Sequence, residues 1–452
     1  MPTSSDQQPK SLQLSEKQIN AVDYIANGDH TLLVADTGEG KTAICLHTIA
    51  NYINNEEISQ CIVAAPASVI DHWPAENAKW GLGLKVVAVK GSPRERYISM
   101  HTGYPDVLVV SLNNLEWLLD QNPKAEMIII DELSKAAGKQ TKKLRNKKWR
   151  EQLTIRVGMT ATPVSESFEK LYAMMRVIDS GATFGRSVEG YMTKYFVQTD
   201  YKGYKHELRE GSAELIMQKL EDILYTVTSN KRDELPPVVE HTISFDMSEP
   251  AREAYNTMKK DMLIEFAASA AVGTNQAVVS GKLRQLASGF IIDEDQHVVT
   301  LDNYRAHEVL EWARELKGAQ GVILYQFEHQ RKQLEQLFGG HSTAYIHGGS
   351  DKEFALTMFT HGHAQLLIAQ ETTISHGVDG LQHVCSDLLF MQPCWSADTR
   401  IQAIGRLDRK GQKNPVNVTT LMCNNSLDAL VEQRQGSKAE NMKAFLQHLK
   451  QE

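Results

Sequence analysis

Thr31-Leu32-Leu33-Val34-Ala35-Asp36-Thr37-Gly38-Glu39-Gly40-Lys41-Thr42 sets an apolar strand, a glycine-bearing loop and, with Ala43-Ile44-Cys45-Leu46-His47, the start of a helix in direct succession. A phosphate-binding loop needs that context. Gly40 lets backbone approach phosphate oxygens, and open N–H groups at the helix start favour negative charge. Lys41 is placed to reach β- and γ-phosphates, and the Thr42 hydroxyl to complete a Mg²⁺ shell. Ala35 stands where such loops usually begin with glycine. The stretch 37–42 is therefore read as a nucleotide site.

Two further segments extend the same chemistry. Met127-Ile128-Ile129-Ile130-Asp131-Glu132 is an apolar strand ending in two carboxylates. Asp131 is expected to hold Mg²⁺ through water, and Glu132 to orient and deprotonate the attacking water. Far downstream, Gln402-Ala403-Ile404-Gly405-Arg406-Leu407-Asp408-Arg409 sets two arginines three apart, on one face if the segment is helical. A guanidinium near a transferring phosphoryl group stabilises its charge.

Alternation of apolar strands and amphipathic stretches predicts parallel sheets covered by helices. One set comprises Thr31–Ala35, Cys61–Ala65, Leu84–Val89, Asp106–Ser111, Glu126–Ile130 and Ile155–Met159. A second comprises Gly321–Tyr325, Ser342–Ile346, Gln365–Ala369, Asp387–Met391 and Val416–Leu421. Between them, residues 164–288 read as helical, including Phe168–Ile178, Ala213–Leu224 and Pro250–Ala271. Leu235-Pro236-Pro237 breaks any helix and divides the chain. The expected units are a loose tail over 1–12, an N-terminal lobe over 13–235 and a C-terminal lobe over 236–452 with a closing helical pattern, Leu427 to Lys450.

Composition narrows the classes. With 452 residues, 42% hydrophobic and 23% charged, the chain is globular and too long for one ordinary core. No apolar run reaches the roughly 18 residues of a membrane span. The five cysteines never form a C-x-x-C pair, which argues against zinc and a disulfide framework and for a reducing compartment. A net charge of −8 means that nucleic-acid contact must come from local basic surface. Lys139, Lys142, Lys143, Arg145, Lys147, Lys148 and Arg150 form a run without an acid, either a phosphate-neutralising surface or a solvated face beside the site. Trp73 and Trp395 are read as packed side chains rather than stacking platforms.

From Leu14 to Gln435 the order of these segments resembles superfamily-two helicase-like ATPases, and most closely the Swi/Snf-type DNA translocases. Further strings carry the likeness: Leu14-Ser15-Glu16-Lys17-Gln18, Cys61 to Ser68 followed by His72-Trp73, Gly158-Met159-Thr160-Ala161-Thr162-Pro163, Lys282-Leu283-Arg284-Gln285-Leu286, His347-Gly348-Gly349-Ser350 and Pro393-Cys394-Trp395. The resemblance implies two RecA-like lobes with short helical insertions, ATP and Mg²⁺ as ligands, and arginines from the second lobe, Arg406 and Arg409, acting on the triphosphate. It implies an adenine-reading role for Gln18 and ATP contacts for Asp379 and Gln402. It also implies coupling through Ser134, Thr160 and Thr162, and sugar-phosphate contacts from Ser68, Asn113, His347 and Thr372. Such contacts position a duplex without reading sequence. Three departures stand out: Ser134 replaces the histidine usual in the family, Ala161 replaces a glycine, and Gly377 to Gln382 carries an extra residue.

The expected activity is ATP-driven translocation on duplex DNA, acting on DNA or a protein–DNA complex, in a bacterial or virus-infected cytoplasm beside the nucleoid. A strand-separating or branch-remodelling helicase is the alternative within the class. An ATP-gated DNA scaffold without turnover is the alternative outside it.

Overall fold

The computed structural model describes residues 12–35, 38–136, 138–161, 163, 168–199, 206–227, 235–268, 272–293, 295–339, 342–374 and 378–433. Of the features expected from sequence, the tail before residue 12, Asp36, Thr37, Thr162, Gly377 and the helical pattern beyond residue 433 lie outside the described residues. The chain forms two compact units, whose described parts are 12–227 and 235–433.

In the first unit the elements run α1 (Glu16–Ala26), β1 (His30–Ala35), α2 (Lys41–Asn54), β2 (Cys61–Ala65), α3 (His72–Trp80), β3 (Val86–Val89), α4 (Pro93–His101), β4 (Val107–Ser111), α5 (Leu115–Asp120), β5 (Met127–Ile130), α6 (Leu133–Ala136), α7 (Lys147–Gln152), β6 (Ile155–Thr160), α8 (Phe168–Ile178), α9 (Val188–Tyr195), β7 (Phe196–Gln198), β8 (His206–Leu208), α10 (Ser212–Gln218) and β9 (Leu224–Val227). Seven of the strands pair in parallel in the order β3-β4-β2-β5-β6-β1-β9, while β7 and β8 form a separate hairpin. The central strands β2, β4 and β5 are buried along their whole length, as a sheet covered on both faces requires.

The second unit runs β10 (Val238–Phe245), α11 (Glu249–Ala268), α12 (Val272–Ala287), β11 (Phe290–Ile292), β12 (Val298–Thr300), α13 (Tyr304–Glu315), β13 (Gly321–Tyr325), α14 (Glu328–Leu337), β14 (Thr343–Ile346), α15 (Lys352–Thr360), β15 (Leu366–Gln370), α16 (Glu371–Ile374), β16 (Asp387–Phe390), α17 (Ala397–Ile404) and β17 (Val416–Cys423). Its six-stranded sheet is also all parallel, in the order β10-β17-β16-β13-β15-β14, with apolar clusters on both faces. The expected pair of parallel sheets flanked by helices is thus present.

Three expectations are corrected. The helix expected over Ala213–Leu224 ends at Gln218, and Leu224 instead opens β9, which extends the sheet beside β1. The helical reading of 164–288 also missed β10, an edge strand along β17 whose middle residues are exposed. An edge strand with one open side loses the apolar signature that marks a buried one. Trp73 is fully buried as expected, but Trp395 is 47% exposed, with the Arg284 guanidinium 5.5 Å from its ring centre. No helix among the described residues is long and apolar enough to cross a membrane.

Candidate functional site

The residues expected to hold a nucleotide gather at the carboxyl edge of the first sheet. β1 ends at Ala35, and α2 begins at Lys41, with Gly40 as its left-handed N-cap at φ +78°. Lys41 Nζ donates to the Ala35 carbonyl at 2.7 Å, which folds the side chain back over the loop. Gln18 anchors the loop from α1: its Nε2 donates to the Glu39 carbonyl at 2.9 Å, while its Oε1 accepts from the Ser15 backbone at 2.8 Å. A Cβ on Gly40 would lie 2.4 Å from Gln18 Nε2, so glycine is needed for space as well as for φ. Gly38 is exposed, and Glu39 and Thr42 are half-buried at the mouth of the loop. The Gln18 amide, to which the resemblance gives adenine, thus also braces the loop from α1.

Two strands away, β5 delivers Asp131 and Glu132 to the same edge. Glu132 sits at φ +56°, a conformation that costs an L-residue about 1–2 kcal/mol. Non-glycine strain of this sort concentrates at functional positions. Cys45, buried in α2, is pushed above the usual thiol range chiefly by burial, then by Asp131, with Lys41 opposing. The charges of Asp131 and Lys41 are thus both felt at Cys45, in the second turn of α2. From β6, Thr160 donates its hydroxyl to Ser134 Oγ at 3.3 Å, linking the strand beside the loop to the short helix α6 after the acids. Gly158 permits that approach, because a Cβ there would meet Leu133 Cδ2 at 2.3 Å.

The polar residues expected to meet a sugar-phosphate backbone stand on the same edge. Ser68 is exposed in the turn Ala67–Val69 after β2, and Asn113 is exposed in the turn Leu112–Asn114 after the adjacent β4. Along the carboxyl edge the order is Asn113, Ser68, Asp131, Thr160 and the Lys41 loop, one strand apart at each step. At about 4.8 Å between strands, the row spans about 19 Å.

Within the second unit, His347 follows β14 and Thr372 lies on α16 directly after the neighbouring β15. Thr372 is exposed, and His347 is held in a tight turn in which its backbone N–H donates to Ser350 Oγ at 2.9 Å. Arg406 and Arg409 do not share a helical face, because α17 stops at Ile404 and both arginines occupy the turns that follow. Leu407, fully buried, pulls the chain inward between them. Arg406 Nη1 donates to the Val378 carbonyl at 3.0 Å and Arg409 Nη1 pairs with Asp379 Oδ1 at 2.9 Å, so both address the segment carrying Asp379. Gln402 is buried on α17.

Two residues passed over in the sequence belong to this neighbourhood. Lys352, at the start of α15, is held down to about 8 by burial and by the nearby Arg406 guanidinium. Its signal was local: Asp351 caps the helix directly after the His347–Ser350 turn. Glu371, buried beside Thr372, is raised to about 7 by burial, against the pull of Arg284 and a hydrogen bond with the Cys394 thiol.

The donor set fits a hard divalent cation. Thr42 and Asp131 offer hydroxyl and carboxylate oxygens at the same sheet edge, and the described residues hold no group of three or more His, Cys, Asp or Glu arranged to bind a metal ion. A cation held by few protein oxygens keeps water and substrate phosphates in its shell, which is the habit of Mg²⁺.

The profile of the SNF2-related domain matches residues 17–290. Protein p41 of Acyrthosiphon pisum secondary endosymbiont phage 1 is 26% identical over 441 residues, covering 92% of this chain and 94% of that protein. The transcription regulatory protein SNF2 of Saccharomyces cerevisiae is 22% identical over 461 residues, covering 93% of this chain but 27% of the yeast protein. Among solved structures, the Sulfolobus solfataricus SWI2/SNF2 ATPase core in complex with dsDNA aligns over 94% of this chain and 90% of that one, at 18% identity and a TM-score of 0.44. That overlap is too low to carry a structural argument. The profile match covers more than half of the 452 residues, and on that ground the chain belongs to the SNF2-related domain family, as an Snf2-type helicase-like ATPase.

Proposed function

We propose that the protein is a Mg²⁺-dependent, DNA-stimulated ATPase that moves along duplex DNA without reading its sequence. The observation that carries this reading is the single carboxyl-edge row of the first unit: Asn113 and Ser68 at one end, the Lys41 loop at the other, and the Ser134–Thr160 hydrogen bond between them. A change at the γ-phosphate is felt first by Lys41, Asp131 and Glu132. The Ser134–Thr160 bond ties β6, beside the loop, to α6 after β5, and β5 is the neighbour of β2, whose following turn carries Ser68.

In this reading the loop residues 37–42 and Gln18 hold ATP, with Asp379 and Gln402 as contacts from the second unit. Thr42 and Asp131 hold Mg²⁺, which when bound screens phosphate charge. Glu132 orients and deprotonates the attacking water, and Arg406 and Arg409 stabilise charge on the transferring phosphoryl group. Ser68, Asn113, His347 and Thr372 grip the backbone, and Ser134, Thr160 and Thr162 relay the nucleotide state. All four grip residues are uncharged or weakly basic, which suits positioning rather than base readout.

Steady-state ATPase rates with no nucleic acid, single-stranded DNA, duplex DNA, branched DNA and RNA test the reading. Duplex stimulation is expected; rates indifferent to every nucleic acid would overturn it. Lys41→Ala is expected to abolish turnover, and Arg406→Ala to bind ATP while losing about 10³-fold or more in kcat.

One observation favours a strand-separating variant: in the hairpin β11–β12, β12 carries Val298 and Val299, successive residues 43% and 47% exposed. Displacement of a triplex third strand without unwinding of a plain duplex supports translocation. Unwinding that disappears when Val298 and Val299 become serine supports a pin.

A further inference from the structure

The basic run has a structure that the nucleotide site does not explain. Residues Lys139–Arg145 form a 3₁₀ turn and 147–152 the short helix α7. The turn packs on α5, α6, α8 and the Leu112–Asn114 turn that carries Asn113, so the run begins at the carboxyl edge beside the proposed grip. Its far end is fixed at the opposite edge by Arg156, second residue of β6. Arg156 is 2% exposed and donates to four carbonyls: Leu153 at 2.9 Å, Val177 at 2.9 Å, Leu144 at 3.3 Å and Trp149 at 2.8 Å. From Arg156 to Thr160 the strand rises about 13 Å, at about 3.3 Å per residue. The run is thus a pinned ledge down the side of the sheet, not a loose solvated face.

Positive charge is concentrated there. The segment 139–150 holds seven basic residues and no acid, in a chain of net charge −8. Beneath it, burial and then Arg150 hold the Arg156 guanidinium down to about 10, and burial and then Arg176 lower Arg145. Asp179, the acid whose charge opposes that lowering at Arg156, already accepts from the Gly181 and Thr183 backbones at 2.7 and 2.8 Å. On the outer surface Lys142, Lys147 and Lys148 are exposed, and Lys148 Nζ meets neutral groups there, donating to Asn122 Oδ1 and lying 4.7 Å from the Trp149 ring centre. Lys143 is instead paired with Asp120, and Lys147 lies 3.8 Å from Glu151, itself exposed.

We propose that Lys142, Lys147 and Lys148 form a second DNA-phosphate contact, which extends the track of Asn113 down the side of the first unit, away from the nucleotide. This rests on the duplex-DNA reading above. About 13 Å of duplex axis presents about eight phosphate charges, at one per about 1.7 Å, enough to face three lysines along one side.

The test is the triple variant K142Q/K147Q/K148Q, compared with wild type and with a control lacking three exposed lysines elsewhere, K85Q/K219Q/K317Q. Binding to a fluorescein-labelled duplex is followed by anisotropy over a salt series. Three lost contacts should lower the slope of log affinity against log salt by about 2.7 and weaken binding on the order of tenfold or more near 0.1 M salt. ATP turnover without DNA, and at saturating DNA, should stay at the wild-type level. An unchanged slope in the ledge variant overturns the proposal, as does a control variant that shifts equally, since the effect would then be global charge. If the wild-type chain fails to bind duplex at all, the functional reading falls together with the ledge. Wild-type binding with an unchanged slope removes the ledge alone.

Discussion

Gly40 and Gln18 should be energetically coupled, and the size of the coupling follows from two distances. Gly40→Ala forces an L-residue to hold φ +78°, which costs about 1–2 kcal/mol. It also sets a Cβ 2.4 Å from Gln18 Nε2, so the amide must leave the Glu39 carbonyl that it bonds at 2.9 Å. Losing that bond costs about 1 kcal/mol. The single variant should therefore weaken ATP binding by about 2–3 kcal/mol. Gln18→Ala loses the same bond, about 1 kcal/mol, and leaves room for the Cβ. In the double variant that bond is lost once rather than twice, so the two effects should fall short of their sum by about 1 kcal/mol, or about fivefold in affinity. A double-mutant cycle on a fluorescent ATP analogue measures this directly. Gln18→Ala also removes a capping box at the start of α1, but that loss is the same with glycine or alanine in the loop and cancels in the cycle. Effects that add to within about 0.3 kcal/mol would show that Gln18 does not support the loop, and the strut argument would fail.

Two other perturbations test the frame around the site. Burial, opposed by Arg284 and Cys394, raises Glu371 from 4.5 to about 7, so the folded protein keeps a proton that the unfolded chain releases. Its stabilising effect is complete below about pH 4.5 and is lost as the pH rises through about 7. At about 1.4 kcal/mol per pH unit this amounts to about 3 kcal/mol. Glu371→Gln should flatten the fall in thermal midpoint between pH 5 and pH 7.5, and parallel slopes for the two proteins would contradict the assignment. Arg156→Met leaves four buried carbonyls without their donor, a loss of about 3 kcal/mol, and should lower the melting midpoint by about 6–12 °C. A midpoint within 2 °C of wild type, by circular dichroism, would show that the ledge is not held there.

The parts of the site legible in the sequence were those whose chemistry is local. A phosphate loop is a strand, a glycine and a helix start, all within a dozen residues, and an acid pair at a strand end is shorter still. The Gln18–Glu39 bond was not legible, because it joins α1 to the loop across 21 residues. The Ser134–Thr160 bond likewise needs the pairing of β5 with β6. Continuous apolar runs announced the central strands, whereas β9 and β10 depend on a neighbour already in place. The shared helical face expected for Arg406 and Arg409 failed for a related reason: spacing by three implies one face only while the helix continues, and α17 ends at Ile404.

The repeated placement of the proposed grip residues has a physical consequence. Ser68 and Asn113 follow adjacent strands β2 and β4, and His347 and Thr372 follow adjacent strands β14 and β15. A parallel sheet gathers the loops after its strands at one edge, so two neighbouring turns give two polar contacts about 4.8 Å apart in either unit. Serine, asparagine and threonine hydrogen-bond to phosphate oxygens but release few counterions. Such a grip can shift along a backbone without breaking ion pairs, yet it supplies little of the electrostatic affinity that a net charge of −8 opposes. That affinity must come from fixed cations outside the moving contacts, and Lys142, Lys147 and Lys148 on a segment pinned by Arg156 meet the requirement. The salt slope of duplex binding should therefore belong mostly to the ledge, while substitutions at Ser68 or Thr372 should leave the slope near its wild-type value and lower the ATP turnover that DNA elicits. If Ser68→Ala and Thr372→Ala instead flatten the slope as far as the triple lysine variant does, grip and electrostatic anchor are one surface and the division drawn between them is wrong.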